Sequence, residues 1–333
     1  MVAGAVPRTA CAQDRELIII SYGGQLQEPH RWLADRMEKR HPGLKIRLVP
    51  SESQDIVAQI KAAQGHSPYD AMPNDEPPHL IGIREGYITK RGDAALKNLA
   101  AVYPALIEKS QGYGVPATYS LVGIAYNTAL VKTPPESWAD LWKPEVKGKL
   151  ASPDFDPSHL IVVSAMLSGG DAVSWERGQD KLKALKPNFK AFYTNDANSQ
   201  QLIASGETPV QVILSMNAHY MKGQGVPVEI VIPKEGAVLG IDTIAIFKGS
   251  KKTDLAYKFI NIMLDPAIQS EAAKLKKASP VVTNAKLDPE VAKLPGVFTT
   301  PEQWKTQAII VDHKMRGEKT PEWRKWFAEN IMN

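Results

Sequence analysis

The stretch that decides the fold of this chain is Ser137–Leu150, with the sequence SWADLWKPEVKGKL. Its first residue, a serine, is a common helix cap; Pro144 cannot continue a helix, and Gly148 marks a turn. The segment therefore predicts a helical turn, followed by a tight connection into a strand. Trp138 and Trp142 are four residues apart, so an α-helical turn would place them on one face.

The size and composition of the chain indicate a globular protein with more than one core. Its 333 residues are too many for one ordinary hydrophobic core and are about right for two lobes. The net charge of +4 comes from scattered Lys and Arg residues, so we predict no patch for nucleic acid. No window of 18 apolar residues occurs, so we predict no membrane-spanning helix.

The first twelve residues resemble the end of an export signal. Ala10 and Ala12 fit the small-residue rule of a signal-peptidase site, although the apolar segment of a complete signal is missing. Cleavage after Ala12 would remove Cys11, the only cysteine, which suits an oxidising compartment without disulfides. We expect residues 1–12 to be a signal remnant and the protein to be periplasmic; the alternative is a cytosolic protein with a disordered N-terminus.

Short apolar runs alternate with helical patterns along the whole chain. The first part predicts strands at Glu16–Ser21, Leu44–Val49 and Tyr69–Pro73 with helices between them, which implies a parallel sheet. A second set of strands and helices begins near Tyr119, and a final helix is predicted over Pro321–Ile331. Open α/β lobes bind ligands at the carboxyl ends of their strands, so the cleft between two lobes is the expected site.

Four blocks of the chain resemble the spermidine/putrescine-binding family of periplasmic solute-binding proteins, which serve ABC importers. They are Tyr69-Asp70 with the Pro73 loop, Ser137–Leu150, the segment from Gly206-Glu207 to Pro233-Lys234-Glu235-Gly236, and Ile241-Asp242-Thr243-Ile244-Ala245-Ile246. The resemblance implies an α/β fold of the type II clamshell, in which each lobe is a mixed sheet flanked by helices. It also implies closure of the lobes by hinge bending.

The same resemblance implies the domain organisation and the partners. Lobe 1 would comprise residues 13–118 and 243–298, and lobe 2 residues 119–242 and 299–333. The partners would be a small solute and the permease subunits of an importer in the inner membrane, with no cofactor, no metal and no nucleic acid. We expect a monomer, because self-association offers such a receptor no evident advantage.

The resemblance is weaker at the positions that hold the ligand. Polyamine sites of the family resemble an aromatic box with carboxylates at intervals. Gly23-Gly24 stand where the family has an aromatic residue and a hydroxyl residue. Leu214, Gly240 and Ser279 stand at positions that are aromatic in the family, whereas the acidic position is kept as Asp242. The expected solute is a polyamine or another amine-bearing compound. The alternative is a zwitterionic or anionic solute, such as an amino acid, an opine, an aminophosphonate or a carboxylate.

The candidate ligand-binding residues lie at strand ends and in the loops that follow them. They are Tyr22, Gly23, Gly24, Asn74, Asp75, Glu76, Tyr119, Asp154, Asp156, Ser158, Asn217 and Asp242. A carboxylate among apolar residues needs a cation, so Asp242 would pair with a ligand ammonium or with an internal Lys or Arg. The glycine pair could seat an anion or form a plain turn, and Asp156 could simply cap the following helix.

Two other functions are remote alternatives. An enzyme on the same clamshell would need a catalytic or metal-binding constellation, yet the seven histidines show no metal-ligand spacing and no G-x-S-x-G motif occurs. A ferric-ion receptor would use oxygen ligands such as paired tyrosines, and no two tyrosines are adjacent. We therefore expect a binding protein and not an enzyme.

Overall fold

The computed structural model describes residues 15–21, 27–51, 53–63, 66–74 and 76–333. The strands are β1 (Glu16–Ser21), β2 (Lys45–Pro50), β3 (Ala71–Asn74), β4 (Val115–Asn127), β5 (Leu150–Pro153), β6 (Phe189–Tyr193), β7 (Val210–Leu214), β8 (Val228–Val231), β9 (Ala237–Ile246) and β10 (Ala308–Ile309). The helices are α1 (Gln27–Arg40), α2 (Ser53–Ala62), α3 (Glu76–Arg84), α4 (Pro104–Lys109), α5 (Ser158–Met166), α6 (Gln179–Leu185), α7 (Asp196–Ala204), α8 (Ser215–Gly223), α9 (Thr253–Met263), α10 (Pro266–Lys276), α11 (Pro289–Ala292), α12 (Pro301–Gln307) and α13 (His313–Phe327).

The strands form a mixed sheet in the order β2-β1-β3-β9-β4-β7-β5-β6, with β8 beside β4 and β10 beside β9. β1 pairs in parallel with β2 and β3, as the strand–helix alternation predicted. β9 then runs antiparallel to both β3 and β4. The result is the predicted α/β clamshell of two lobes. Within the described part of the chain, no helix is both long and apolar enough to span a membrane.

The long strand β4 passes from one lobe to the other. Its residues 115–122 pair with β9, whereas its residues 122–127 pair with β7 and β8. Leu121 and Leu239 pack in one hydrophobic cluster, and their chain neighbours Val122 and Val238 pack in a second one. Both strands therefore contact both cores. The exact lobe boundaries given above remain a prediction.

The SWADLW turn forms where it was predicted, with Ser137 as its cap, but it is a 3-10 helix. A 3-10 helix has three residues per turn, so residues four apart point about 120° away from each other. The indole N–H of Trp138 donates to the Gly236 carbonyl at 2.7 Å, and that of Trp142 donates to the Lys181 carbonyl at 2.7 Å. The expectation of one shared face is therefore wrong.

The last helix, α13, begins eight residues before the predicted start at Pro321. Asp312 caps it, since its Oδ1 accepts a hydrogen bond from the Met315 amide at 2.7 Å. Proline is common in the first turn of a helix, so its presence alone predicts a start at Pro321. Here Pro321 lies inside the helix and costs one main-chain hydrogen bond. The correction matters because the added turns carry Arg316.

Helix α13 also packs closely against α3. A Cβ atom on Gly317 would lie 2.3 Å from Leu80 Cδ1, which is closer than two carbon atoms can approach. A side chain in place of Gly317 would force Leu80, or the two helices, to shift. The contact joins the C-terminal helix to the helix that follows β3.

Candidate functional site

A cleft of about 710 Å³, part of it open to solvent, lies beside the central strands β4 and β9. Thr118, Tyr119, Gly240 and Asp242 line it from these strands. The opposite wall follows β5, β6 and β7, and α13 adds one residue. The polar side chains of this wall are Asp156, His159, Tyr193, Asp196, Asn217 and Arg316.

Two carboxylates in the cleft influence each other. Asp196 is the first residue of α7, and its Oδ1 accepts a hydrogen bond from Asn217 Nδ2 at 2.8 Å. Burial raises the pKa of Asp196 to about 6; the bond from Asn217 opposes this rise, and the negative charge of Asp242 adds to it. A carboxylate whose pKa is raised by a neighbouring negative charge belongs to a site that a cation stabilises.

Asp242 has a protein cation in its surroundings. Asp242 lies opposite Thr118 in the antiparallel register of β9 and β4, so the side chains of these two residues share a face of the sheet. Thr118 Oγ1 accepts a hydrogen bond from Lys276 Nζ. Burial lowers the pKa of the Lys276 ammonium, and the charge of Asp242 opposes that effect. Lys276 is thus one of the two partners considered for Asp242; an ammonium of the ligand is the other.

Asp156 is held by an ion pair with the C-terminal helix. Arg316 Nη2 donates to its Oδ2 at 2.6 Å, His159 Nε2 lies 3.5 Å from the same oxygen, and the Ser158 amide donates to its Oδ1 at 3.1 Å. Burial raises the pKa of Asp156, but Arg316, His159 and Ser158 outweigh it and hold the pKa at about 2. Asp156 is therefore an ionised carboxylate with a guanidinium already bound.

Four of the predicted residues line the cleft: Tyr119, Asp156, Asn217 and Asp242. Asp154 and Ser158 are not part of its lining; burial raises the pKa of Asp154, while Arg324 opposes the rise. Asn74 ends β3 and Glu76 begins α3. Tyr22, Gly23, Gly24 and Asp75 lie outside the described residues. The ligand-binding roles of all these residues remain predictions.

The positions of the family's aromatic box are arranged differently. Leu214 and Gly240 both line the cleft and are neighbours, since a Cβ on Gly240 would lie 3.1 Å from Leu214 Cδ2. Ser279 points elsewhere, because its hydroxyl accepts the Phe298 amide at 2.8 Å. The space of two aromatic rings is thus partly filled by one leucine.

Three aromatic residues belong to the described lining: Tyr119, Phe155 and Tyr193. Tyr193 is buried and donates its hydroxyl to the Val212 carbonyl at 2.7 Å. Phe155 is half-buried and meets the Tyr193 ring edge-on, with 6.1 Å between the ring centres. Tyr119 is 1% exposed and packs against Trp304. These rings support the wall and offer little open face to a ligand.

Sequence reasoning missed Asp196, Arg316, Thr118 and Lys276. Asp196 follows β6, a strand that the sequence analysis did not predict, although an acid just past a strand end was a usable signal. Arg316 lies in the part of α13 that precedes the predicted start. The residues described here include no cluster of three or more His, Cys, Asp or Glu side chains that could hold a metal ion.

Comparison with known families gives one profile match over most of the chain. The profile described as "Bacterial extracellular solute-binding protein" matches residues 32–299. This range includes β4, β9 and every polar cleft residue named above except Arg316.

Relatives with assigned names bind amines. The spermidine/putrescine-binding periplasmic protein of Escherichia coli K12 is 31% identical over 221 residues, which cover 63% of this chain and 63% of that protein. The aligned part thus spans less than two thirds of that relative. The putrescine/cadaverine-binding protein of Pseudomonas aeruginosa is 27% identical over 293 residues, covering 81% of this chain and 80% of that protein.

Solved structures show the same fold. The spermidine/putrescine substrate-binding protein PotD of Streptococcus pneumoniae is 23% identical, with a TM-score of 0.78 over 96% of this chain and 99% of that one. A structure described as a GABA receptor is 22% identical, with a TM-score of 0.79 over 96% and 98% of the two chains.

Proposed function

Since the chain belongs to the bacterial extracellular solute-binding protein family, we propose that it captures an amine-bearing solute in the cleft and delivers it to an ABC importer. The observation that carries this proposal is the pair of mutually repelling carboxylates, Asp196 and Asp242, in a cleft between two cores. The names of the relatives, which refer to spermidine, putrescine and cadaverine, point to the same chemical class.

An ammonium group fits the pair for a simple reason. It has three N–H donors and one positive charge, so it can donate to both carboxylates while it cancels their repulsion. Asn217 holds Asp196 in place through a hydrogen bond of 2.8 Å. Binding shifts the lobes towards a closed arrangement only as far as the solute prefers that arrangement over the open one.

The family also suggests a setting and partners for the protein. We propose that the protein is exported to the periplasm and hands its solute to the permease subunits of an importer. We further propose that it acts as a monomer, binds no nucleic acid and is not an enzyme. The extracellular assignment of the family supports export and delivery to an importer, and the scattered basic residues agree with the proposal that no nucleic acid binds.

A thermal-shift screen tests the proposal. The protein is unfolded and refolded to remove bound solute, and is then heated with putrescine, spermidine, cadaverine, 4-aminobutyrate, glucose or succinate. A ligand at a hundred times its Kd adds about 2.7 kcal/mol, which raises the Tm by a few degrees in a protein of this size. We expect a shift with at least one amine and none with glucose or succinate. Stabilisation by the amine-free solutes alone would contradict the proposal.

A further inference from the structure

The charged residues around the cleft point to one kind of amine-bearing solute. Building on the proposed function, we infer that the solute carries a single ammonium group and an anionic group at its other end. A diamine or a longer polyamine is then a poorer ligand than an amino acid with a separated amine and carboxylate. Three features of the cleft carry this inference.

The first feature is the state of Asp156. A second ligand ammonium would need a second carboxylate, and Asp156 is the remaining acid in the described lining. Its Oδ2 already binds the Arg316 guanidinium at 2.6 Å, and both side chains are buried, with exposures of 11% and 3%. Separating a buried ion pair is costly, because each charge is left without its partner. Arg316 therefore occupies the place that a second ammonium would take.

The second feature is the position of the protein's own cations. Arg316 lines the cleft, and Lys276 is bonded to Thr118, which also lines it. Both positively charged groups are buried away from bulk water. Coulomb interactions are stronger in such a buried site than at an exposed surface. Asp156 lies beside Arg316, and Asp242 acts on Lys276, so each positive charge is partly offset. The N–H donors of both cations still favour an anion over a second ammonium, which can only donate. Asp196 and Asp242 attract the first ammonium, so the cleft offers charges of both signs.

The third feature is the lack of an aromatic box in the described lining. A polyamine box holds cationic groups over open ring faces. Here Leu214 and Gly240 stand side by side, and the rings of Tyr119 and Tyr193 are almost fully buried. The third ring of the lining, Phe155, is half-buried and packs edge-on against Tyr193. Among these residues a second ammonium would thus find a carboxylate already paired with Arg316 and a single, partly exposed ring.

Calorimetric titration with three ligands of similar length tests the inference. Putrescine, n-butylamine and 4-aminobutyrate share one ammonium and differ at the other end, which is cationic, apolar or anionic. At pH 7.5 we expect 4-aminobutyrate to bind at least tenfold more tightly than putrescine, with n-butylamine between them. Putrescine as the tightest ligand would overturn the single-ammonium class, and n-butylamine as the tightest would overturn the anionic end.

A double variant tests whether the Arg316–Asp156 pair sets this preference. Asp156→Asn combined with Arg316→Gln removes both charges and keeps groups that can hydrogen-bond. We expect the ratio of the two Kd values, putrescine over 4-aminobutyrate, to fall at least threefold. The matched control, Lys222→Gln with Glu229→Gln, removes an exposed ion pair and should leave the ratio unchanged.

The outcomes separate this inference from the proposed function. If putrescine binds best, the protein is an amine receptor and only the inference fails. If none of the three ligands and no other amine of the thermal-shift screen binds, the proposed function fails and the inference fails with it. Should the double variant not fold, the order of the three ligands on the unmodified protein still decides.

Discussion

At the scale of single residues, protonated Asp196 favours the folded state, whereas ionised Asp196 favours the binding of an amine. Burial, and then the nearby charge of Asp242, raise its pKa to about 6 against the bond from Asn217. The folded protein therefore holds this proton more tightly than the unfolded chain, where an aspartate has a pKa of about 3.9. The stabilisation of the folded state by protonated Asp196 is fully present below about pH 4 and is lost as the pH rises through about 6.

Replacing Asp196 by Asn should remove this loss. The variant cannot ionise, so its free energy of unfolding relative to the unmodified protein should be higher at pH 8 than at pH 4 by about 2 kcal/mol. Urea unfolding of the ligand-free proteins at both pH values measures the difference. Asp180→Asn, at a fully exposed side chain, is the control and should show no such change. Equal differences at the two pH values for Asp196→Asn would contradict the burial of an ionisable group here.

The same group should make binding depend on pH. An ammonium prefers the ionised carboxylate, so amine affinity should be constant well above pH 6 and should fall by up to tenfold per pH unit below it. Calorimetry between pH 4.5 and 8 measures this dependence. The step near pH 6 should be absent in Asp196→Asn. A flat profile in the unmodified protein would mean that the ligand does not contact Asp196.

A site residue could be predicted from the sequence where its neighbours in the chain indicated its role. Asp242 could be found because a carboxylate in an apolar strand needs a cation nearby. Arg316 and Asp156 are 160 positions apart, and Lys276 and Thr118 are 158 positions apart. No local pattern encodes these pairs, because they form only when the whole chain folds. This is why Asp156 was identified as a ligand candidate but its guanidinium partner was not.

At the scale of elements, the contact between α13 and α3 controls the position of Arg316. Gly317 follows Arg316 directly, and a Cβ there would lie 2.3 Å from Leu80 Cδ1. A side chain at this position would force Leu80, or the two helices, to shift. The displacement would also move Arg316 relative to Asp156, on the wall of the cleft.

Gly317→Ala should therefore weaken both the fold and the site. We expect a loss of about 1–3 kcal/mol in the free energy of unfolding, as for other overpacked contacts, together with weaker amine binding. Denaturant unfolding and calorimetry measure the two effects. Gly223→Ala is the matched control, since its Cβ would meet nothing within 4 Å in α8. If Gly317→Ala and Gly223→Ala change the free energy of unfolding and the amine affinity equally, the packing of α13 against α3 does not require a small residue at position 317.

Helix and strand types were predictable, whereas helix geometry and starts were less so. The apolar run Glu16–Ser21 is a strand with the predicted bounds. The capped turn after Ser137 forms, but as a 3-10 helix, since Pro144 leaves no room for further α-helical turns. For α13, the cap at Asp312 outweighs the usual meaning of Pro321 as a first-turn residue.

At the scale of the whole molecule, the two cores and the cleft arise from the same pair of strands. β4 and β9 pair along 115–122 and 238–244, contact both hydrophobic clusters and carry Thr118 and Asp242 into the cleft. The order of strands and helices predicted the parallel pairing of β1 with its neighbours and a second α/β set, and the family resemblance predicted the clamshell. The antiparallel pairing of β9 with β3 and β4 was not predicted. The solute could not be predicted in the same way, because it depends on which charges the protein neutralises internally.

The most direct test of the central claim is a calorimetric titration of refolded protein with 4-aminobutyrate and putrescine, repeated with Asp242→Asn. If an amine binds between Asp196 and Asp242, the unmodified protein should take up one equivalent and the variant should lose at least tenfold in affinity. The variant's far-UV circular dichroism and the behaviour of Asp180→Asn should stay unchanged. Equal affinity in Asp242→Asn and the unmodified protein would contradict the account, since the ammonium would then bind elsewhere.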